Sequence, residues 1–217
     1  MVTKNGIIKK TPASEYESIR KSGKIAITLK EGDELISIFK TTGNDNIFLA
    51  TRNGMAICFN ENDARAVGRT ASGVKAIDLA DGDYVVGAEP VREDSKVLLV
   101  TDGGYGKCTD LTSFRIQHRG GKGLKAYKIT EKTGNIIGIS MVNDSEELIM
   151  VTSEGVVIRI RIKDIATTTG RITQGVRLIN LNDGVTVVSM DKISAEDTVE
   201  EESEENNTEV TAETTEE

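Results

Sequence analysis

The sequence predicts an all-β chain of about four propeller-like, four-stranded blades followed by a disordered acidic C-terminal tail. Three observations carry this expectation: a motif recurring about every fifty residues, a composition rich in glycine and poor in proline, and an uneven distribution of charge.

The repeat comes first. Val2-Thr3-Lys4-Asn5-Gly6, Ala50-Thr51-Arg52-Asn53-Gly54, Val100-Thr101-Asp102-Gly103-Gly104 and Val151-Thr152-Ser153-Glu154-Gly155 align, with their last glycines 48, 50 and 51 residues apart. Ten positions after each glycine stands an apolar residue: Tyr16, Ala64, Phe114 or Ile165. A second glycine follows at Gly23, Gly73, Gly123 and Gly175, each leading into a short apolar and basic run. Gly32-Asp33, Gly82-Asp83 and Asp183-Gly184 repeat one turn signal.

Within a unit the pattern reads as strands. Residues 46–51 and 55–59 flank Arg52-Asn53-Gly54, an Asn-Gly hairpin signal, and residues 147–151 and 156–161 repeat it around Glu154-Gly155. A further strand, at 34–39 or 185–188, is read as opening the next unit. About four strands per fifty residues suits a propeller blade better than a solenoid coil, which is usually shorter. The units run roughly 1–36, 37–86, 87–137 and 138–190, with the first expected to be incomplete. Residues 185–190 look like the start of a fifth unit, and either close a ring onto the first blade or belong to a longer array.

Composition bounds the rest. Glycine numbers 21 and proline two, as expected of many tight turns. No run reaches the ~18 apolar residues of a membrane helix, and the first residues carry no signal-peptide pattern, so a cytoplasmic protein without a membrane partner is expected. The net charge of −8 divides into −11 over residues 191–217 and +3 over residues 1–190. The 191–217 segment has little to bury and is expected to stay disordered, either as a solubilising tail or as a mimic of phosphate charge.

Catalysis finds little support. His118, the one histidine, lies near no recognisable nucleophile motif, and no His/Cys cluster has metal-ligand spacing. No cofactor is expected. Cys58 and Cys108 occupy equivalent positions on successive blades, too far apart for a disulfide, and read as free thiols. Asp33 and Asp83 are expected in turns for backbone reasons.

A basic loop between the two glycines is the main functional signal. It carries Arg20, Lys21 and Lys24 in the first repeat, Arg65, Arg69 and Lys75 in the second, and Lys163, Arg171 and Arg177 in the fourth. The third is densest, with Arg115, Gln117, His118, Arg119, Gly120, Gly121, Lys122, Gly123 and Lys125. Lys9, Lys10, Lys107 and Arg159 add charge on the strand before it. On a propeller these positions share one rim, a stripe that matches a duplex backbone and needs no base reading. In Gly120-Gly121-Lys122-Gly123 the missing side chains are expected to let main-chain N–H groups approach phosphate.

Residues 117–123 resemble the gyrase-A box, Gln-Arg-Arg-Gly-Gly-Lys-Gly, with His118 in place of the first arginine. The four repeats resemble blades of the C-terminal domain of the DNA gyrase A family, over essentially the whole chain. The resemblance implies a β-pinwheel of strand-exchanged blades that wraps double-stranded DNA around a basic perimeter. It implies a non-catalytic accessory to a type IIA topoisomerase that introduces negative supercoils. The remainder of gyrase A, together with gyrase B, would be its partners in a bacterial, nucleoid-associated enzyme. Two departures stand out. The family usually has about six blades with its main box in the first, whereas this box lies in the third repeat, as a secondary box would; and Cys58 and Cys108 occupy positions that are usually basic. The domain with the catalytic tyrosine is absent, and Tyr16, Tyr84, Tyr105 and Tyr127 do not take that role. A topoisomerase IV A C-terminal domain, or a propeller that binds a protein, remain the alternative readings.

Overall fold

The structure is a computed structural model that describes residues 1–19 and 21–194. Arg20 and most of the acidic segment, residues 195–217, lie outside the described residues. Sixteen strands are seen among them: β1 (Val2–Thr3), β2 (Ile7–Ile8), β3 (Leu35–Ser37), β4 (Asn46–Thr51), β5 (Met55–Asn60), β6 (Val74–Lys75), β7 (Val85–Pro90) and β8 (Lys96–Thr101). β9 (Tyr105–Asp110), β10 (Leu124–Lys125), β11 (Ile136–Val142), β12 (Glu147–Thr152), β13 (Val157–Arg161), β14 (Thr167–Thr168), β15 (Val176–Arg177) and β16 (Val187–Ile193) complete the set.

Four small sheets form the blades, in a four-blade propeller arrangement. Their orders are β3-β1-β2-β6, β7-β4-β5-β10, β11-β8-β9 with both β14 and β15 on β9, and β16-β12-β13. Each of the first three blades borrows its outermost strand from the repeat that follows: β6 pairs with β2, β10 with β5 and β15 with β9, all antiparallel. The innermost strands stack in succession, β3 on β7, β7 on β11 and β11 on β16.

Two sequence expectations are corrected here. The strand at 35–37 does not open the next unit but closes its own blade by pairing with β1, and β16 does the same through β12, so residues 185–190 begin no fifth unit. The first blade has its full four strands, and the fourth blade is the three-stranded one among the described residues. The physical reason is strand exchange, which completes each blade from its successor.

The repeated threonine has a local cause. Thr3, Thr51, Thr101 and Thr152 are buried, and each hydroxyl accepts the N–H four residues on, from Ile7, Met55, Tyr105 and Val156. This closes the hairpin turn from inside. The turn aspartates lock it from outside: Asp83 accepts from the Asn53 and Tyr84 N–H groups and from the Thr51 hydroxyl, and Asp33 accepts from Asn5 and Glu34.

The core is three layers, each lying between neighbouring blades. Ile47 and Leu49 of β4 pack towards the first blade with Val2, Ile8 and Ile77, while Phe48 and Ala50 pack towards the third with Val97, Leu99 and Tyr127. β8 divides in the same way, Leu98 and Val100 facing the fourth blade. A strand buried on both faces needs an unbroken apolar run, which is what residues 47–50 and 97–100 are.

Cys58 and Cys108 are free and buried, and burial pushes each thiol up to about 11 from 9.0. They face the interior, so they do not interrupt a rim. Their folded-state values lie above the unfolded one, so the native chain holds more protons between these limits. The stability this contributes is complete below about pH 9 and is lost as pH rises through about 11. Urea midpoints measured from pH 8 to pH 11 are expected to fall, and Cys58→Ala with Cys108→Ala is expected to flatten that fall.

Candidate nucleic-acid interface

Each basic loop leaves the second hairpin strand and makes a short 3-10 turn, and the loops of the second, third and fourth repeats then cross onto the preceding blade. The turns are Ala13–Tyr16, Glu61–Asp63, Leu111–Ser113 and Ile162–Asp164. Parallel bridges Lys10 to Ala66 and Cys58 to Ile116, and the β14–β9 pair, hold the crossing loops. After the second glycine the chain delivers its two-residue exchanged strand. Lys75, Lys125 and Arg177 therefore sit on the outermost strands of successive blades, and all three are exposed.

The structure divides the sequence-read cations into two groups. Arg65, Arg115, Lys122, Lys125 and Lys163 are exposed and form no ion pair among the described residues. Lys21 is exposed too, and Lys24 donates to the Glu15 carbonyl. His118 projects almost wholly into solvent, its Nδ1 3.2 Å from the Asp63 carboxylate. Lys75 pairs with Asp78 at 2.8 Å, Lys10 with Glu61 at 3.1 Å, and Arg159 with Glu147. Arg177 donates from Nε and Nη2 to the Tyr105 hydroxyl, holding the Tyr105 phenol below its ordinary range.

Lys9 and Lys107, read as surface cations, are a correction: both are buried, at 2% and 0% exposure. Lys107 Nζ donates to the Arg171 and Gly170 carbonyls and to the Thr173 hydroxyl. Lys9 Nζ donates to the Ala26 and Arg69 carbonyls. Burial, with Arg171 close by, lowers Lys107 to about 8, and burial beside Arg69 lowers Lys9. These ammonium groups anchor the loops from beneath. β2 and β9 are covered on both faces, so a strand position that looks solvent-facing is not.

Three arginines of the cationic set also donate to main-chain carbonyls. Arg69 donates to the Ile25 carbonyl at 3.0 Å, Arg119 to the Lys75 carbonyl at 2.9 Å and Arg171 to the Lys125 carbonyl at 3.0 Å. Each stands four residues before its second glycine and reaches the equivalent carbonyl one repeat earlier. Arg119 also donates to the Asp63 carbonyl at 2.8 Å. These guanidinium groups clamp successive loops together.

The glycines of the box-like run serve the same junction. Gly120, at φ 81°, donates its N–H to Ala76, and the Gly121 carbonyl accepts from Asp78. A Cβ on Gly123 would lie under 3.0 Å from the Ala56 carbonyl, and Gly73 and Gly175 are pressed in the same way on Ile8 and Gly106. A phosphate cradle of these N–H groups is therefore not formed at Gly120, whose donor is already engaged. Sequence reasoning missed the clamps; it did read Gln117 as part of the box-like run, and the Gln117 Nε2 is buried without a hydrogen-bond partner among the described residues.

Each of the four repeats matches a known family. The family model described as the DNA gyrase C-terminal domain, beta-propeller, matches residues 1–42, 45–92, 95–143 and 146–194. The chain belongs to that family. It is 57% identical over 196 residues to the A subunit of DNA gyrase from Halalkalibacterium halodurans, covering 90% of this chain and 23% of that protein. It is 50% identical over 197 residues to the A subunit of DNA gyrase from Clostridium acetobutylicum, covering 91% and 24%. The chain thus spans less than a quarter of the length of these relatives. The crystal structure of the C-terminal domain of DNA topoisomerase IV superposes at TM-score 0.86 with 29% identity, over 96% of this chain and 65% of that one. The structure of the DNA gyrase A C-terminal domain gives 0.77 with 26% identity, over 88% and 64%. Among the described residues no helix is long and apolar enough to cross a membrane.

Proposed function

We infer that the chain binds duplex DNA without reading sequence, curves it along its outer edge, and so acts as the accessory wrapping element of a bacterial gyrase. Its partners on this reading are the remainder of gyrase A, and gyrase B. One observation carries it: exposed cations recur at equivalent outer positions of successive blades, at Lys75, Lys125 and Arg177, with Arg65, Arg115 and Lys122 beside them. A duplex laid over such an edge meets one cationic group per blade and must bend to reach the next.

The magnitudes permit it. Bending a short duplex by tens of degrees costs on the order of 1–6 kcal/mol. About six phosphate contacts give a salt slope near −5 on logarithmic axes, enough to offset that cost at low salt and not at high salt. Affinity for random-sequence duplex is expected to fall with this slope and to rise with duplex length until the edge is covered. Fluorescence anisotropy on duplexes of graded length checks both, and length-independent binding would leave no wrapping. The topoisomerase IV reading is favoured by the higher TM-score, and the gyrase reading by the closer sequences. Nick sealing on relaxed circles separates them, because wrapping captures writhe of one sign whereas simple crossing recognition does not.

A further inference from the structure

We propose that Tyr105, Arg177 and Lys132 form a phosphate-binding site at the outer edge of the third blade, taking one backbone phosphate of a duplex that passes Arg177. The inference rests on the reading that DNA follows this edge, and it adds two groups, the Tyr105 hydroxyl and Lys132, that no basic loop supplies.

The site arises where the third repeat departs from the other three. Those close with Gly32-Asp33, Gly82-Asp83 and Asp183-Gly184, whereas the third carries the longer run Thr130-Glu131-Lys132-Thr133-Gly134-Asn135. This loop folds on itself. Thr130 bridges to Gly134, and the wholly buried Thr133 accepts the Thr130 N–H on its hydroxyl at 3.0 Å. It is then fixed to the hairpin turn between β8 and β9. Gly103 donates to the Thr133 carbonyl, Asp102 to the Asn135 carbonyl, and the Asp102 carboxylate accepts the Asn135 N–H at 2.8 Å. In the first two blades the aspartate of the closing turn reaches the hairpin; here the aspartate of the hairpin reaches the loop. Lys132 is thereby placed with its ammonium 5.6 Å from the centre of the Tyr105 ring, exposed and without an ion pair among the described residues.

Tyr105 is the second departure. Its counterparts are Ile7, Met55 and Val156, so only the third blade has a polar group at this position. Arg177 arrives on β15 directly opposite it. The ring is packed, 7% exposed, and its hydroxyl accepts from Arg177 Nε at 3.1 Å and Nη2 at 3.0 Å. Two donors occupy the lone pairs of a phenol oxygen, and no acceptor among the described residues receives its O–H. The bond from Arg177, with Lys132 behind it, also lowers the phenol from its ordinary range, which makes that O–H a better donor to an anion.

The positive charge stays available. Lys75, the counterpart of Arg177 on the first blade, is paired with Asp78, whereas Arg177 donates to two neutral groups, the phenol and Asn180 Oδ1 at 2.9 Å. Of the carboxylates on the same loops, Asp102 is turned to the Asn135 N–H and Glu131 is exposed. An O–H donor, a guanidinium held by neutral acceptors and an ammonium on a packed loop thus meet around one ring. They need little ordering to take an oxyanion.

Anisotropy titrations of a long duplex over a salt series test the site. Lys132→Gln is expected to lower the logarithmic salt slope by about 1, the share of one phosphate contact. Tyr105→Phe keeps the ring and is expected to weaken binding about fivefold at low salt with the slope unchanged, because it removes a donor and no charge. The double variant is expected to lose less than the product of the two separate fold-changes, since both groups hold one phosphate. Lys40→Gln removes an exposed lysine just beyond the innermost strand β3 and is expected to leave the slope as it is. Circular dichroism verifies the fold of each variant. Wild-type binding without salt dependence would count against DNA on this edge altogether. With the wild-type slope intact, the site alone is overturned by an unchanged slope in Lys132→Gln, unchanged affinity in Tyr105→Phe, strictly multiplicative losses, or an equal loss in Lys40→Gln. Millimolar inorganic phosphate at constant ionic strength is expected not to compete; competition seen in the wild type and absent from Lys132→Gln would assign the site to the free ion instead.

Discussion

Arg119→Ala is expected to destabilise the chain by about 3 kcal/mol while leaving the salt slope of DNA binding nearly unchanged, whereas Lys122→Ala is expected to do the reverse. The Arg119 guanidinium donates to the Asp63 and Lys75 carbonyls, so its charge serves a junction between loops. A hydrogen bond to a charged group contributes about 1.5–3 kcal/mol, and partial exposure places this pair towards the lower end for each bond. The Lys122 ammonium is exposed and forms no ion pair among the described residues, so its loss removes a cation and lowers the slope by about 1. Arg119→Lys keeps the charge but not the fork that reaches two carbonyls, and is expected to resemble the alanine variant in stability. Urea denaturation and anisotropy titrations at three salt concentrations separate the two roles. A reduced salt slope with unchanged stability in Arg119→Ala would return that residue to the phosphate-binding set.

The contrast between these two residues marks what a sequence conveys about this architecture. The period, the threonine and the glycine are visible because each is required once per blade by a turn that closes in the same way every time. The long hairpins are visible because residues 47–50 and 97–100 must be apolar on both faces. Strand exchange leaves almost no trace. Two-residue strands such as β6, β10 and β15 are too short for alternation to register, and their partners lie one repeat away. The cationic loops are legible as loops, but the destination of each cation is not. A guanidinium bound to a carbonyl and one free for phosphate are the same letter, and only the fold separates Arg119 from Arg115. Lys107 is hidden for a related reason, since its neighbours in sequence do not reveal that β9 is covered on both faces.

Gly123→Ala is expected to be highly damaging, costing about 4 kcal/mol and abolishing any wrapping. Gly123 sits at φ 74°, where an added Cβ costs roughly 1–2 kcal/mol for the backbone alone. The same Cβ would also fall under 3.0 Å from the Ala56 carbonyl, which is backbone and cannot rotate away. The collision is relieved only by lifting β10 off β5, which breaks the Leu124–Ala56 and Lys125–Met55 pairs and draws Ala126 and Tyr127 from the layer between the second and third blades. Overpacking of this kind adds about 1–3 kcal/mol. Two neighbouring controls isolate the cause. Gly121→Ala faces open space and is expected to be nearly silent, although it lies in the same box-like run. Gly23→Ala shares the left-handed backbone but not the collision, so it should cost only the backbone share. Thermal denaturation of the three variants should therefore rank Gly123 far below Gly23, and Gly23 modestly below Gly121. If Gly121→Ala proved as harmful to DNA binding as Gly123→Ala while leaving the melting temperature intact, the run would be acting on phosphate directly rather than by fitting one blade against the next.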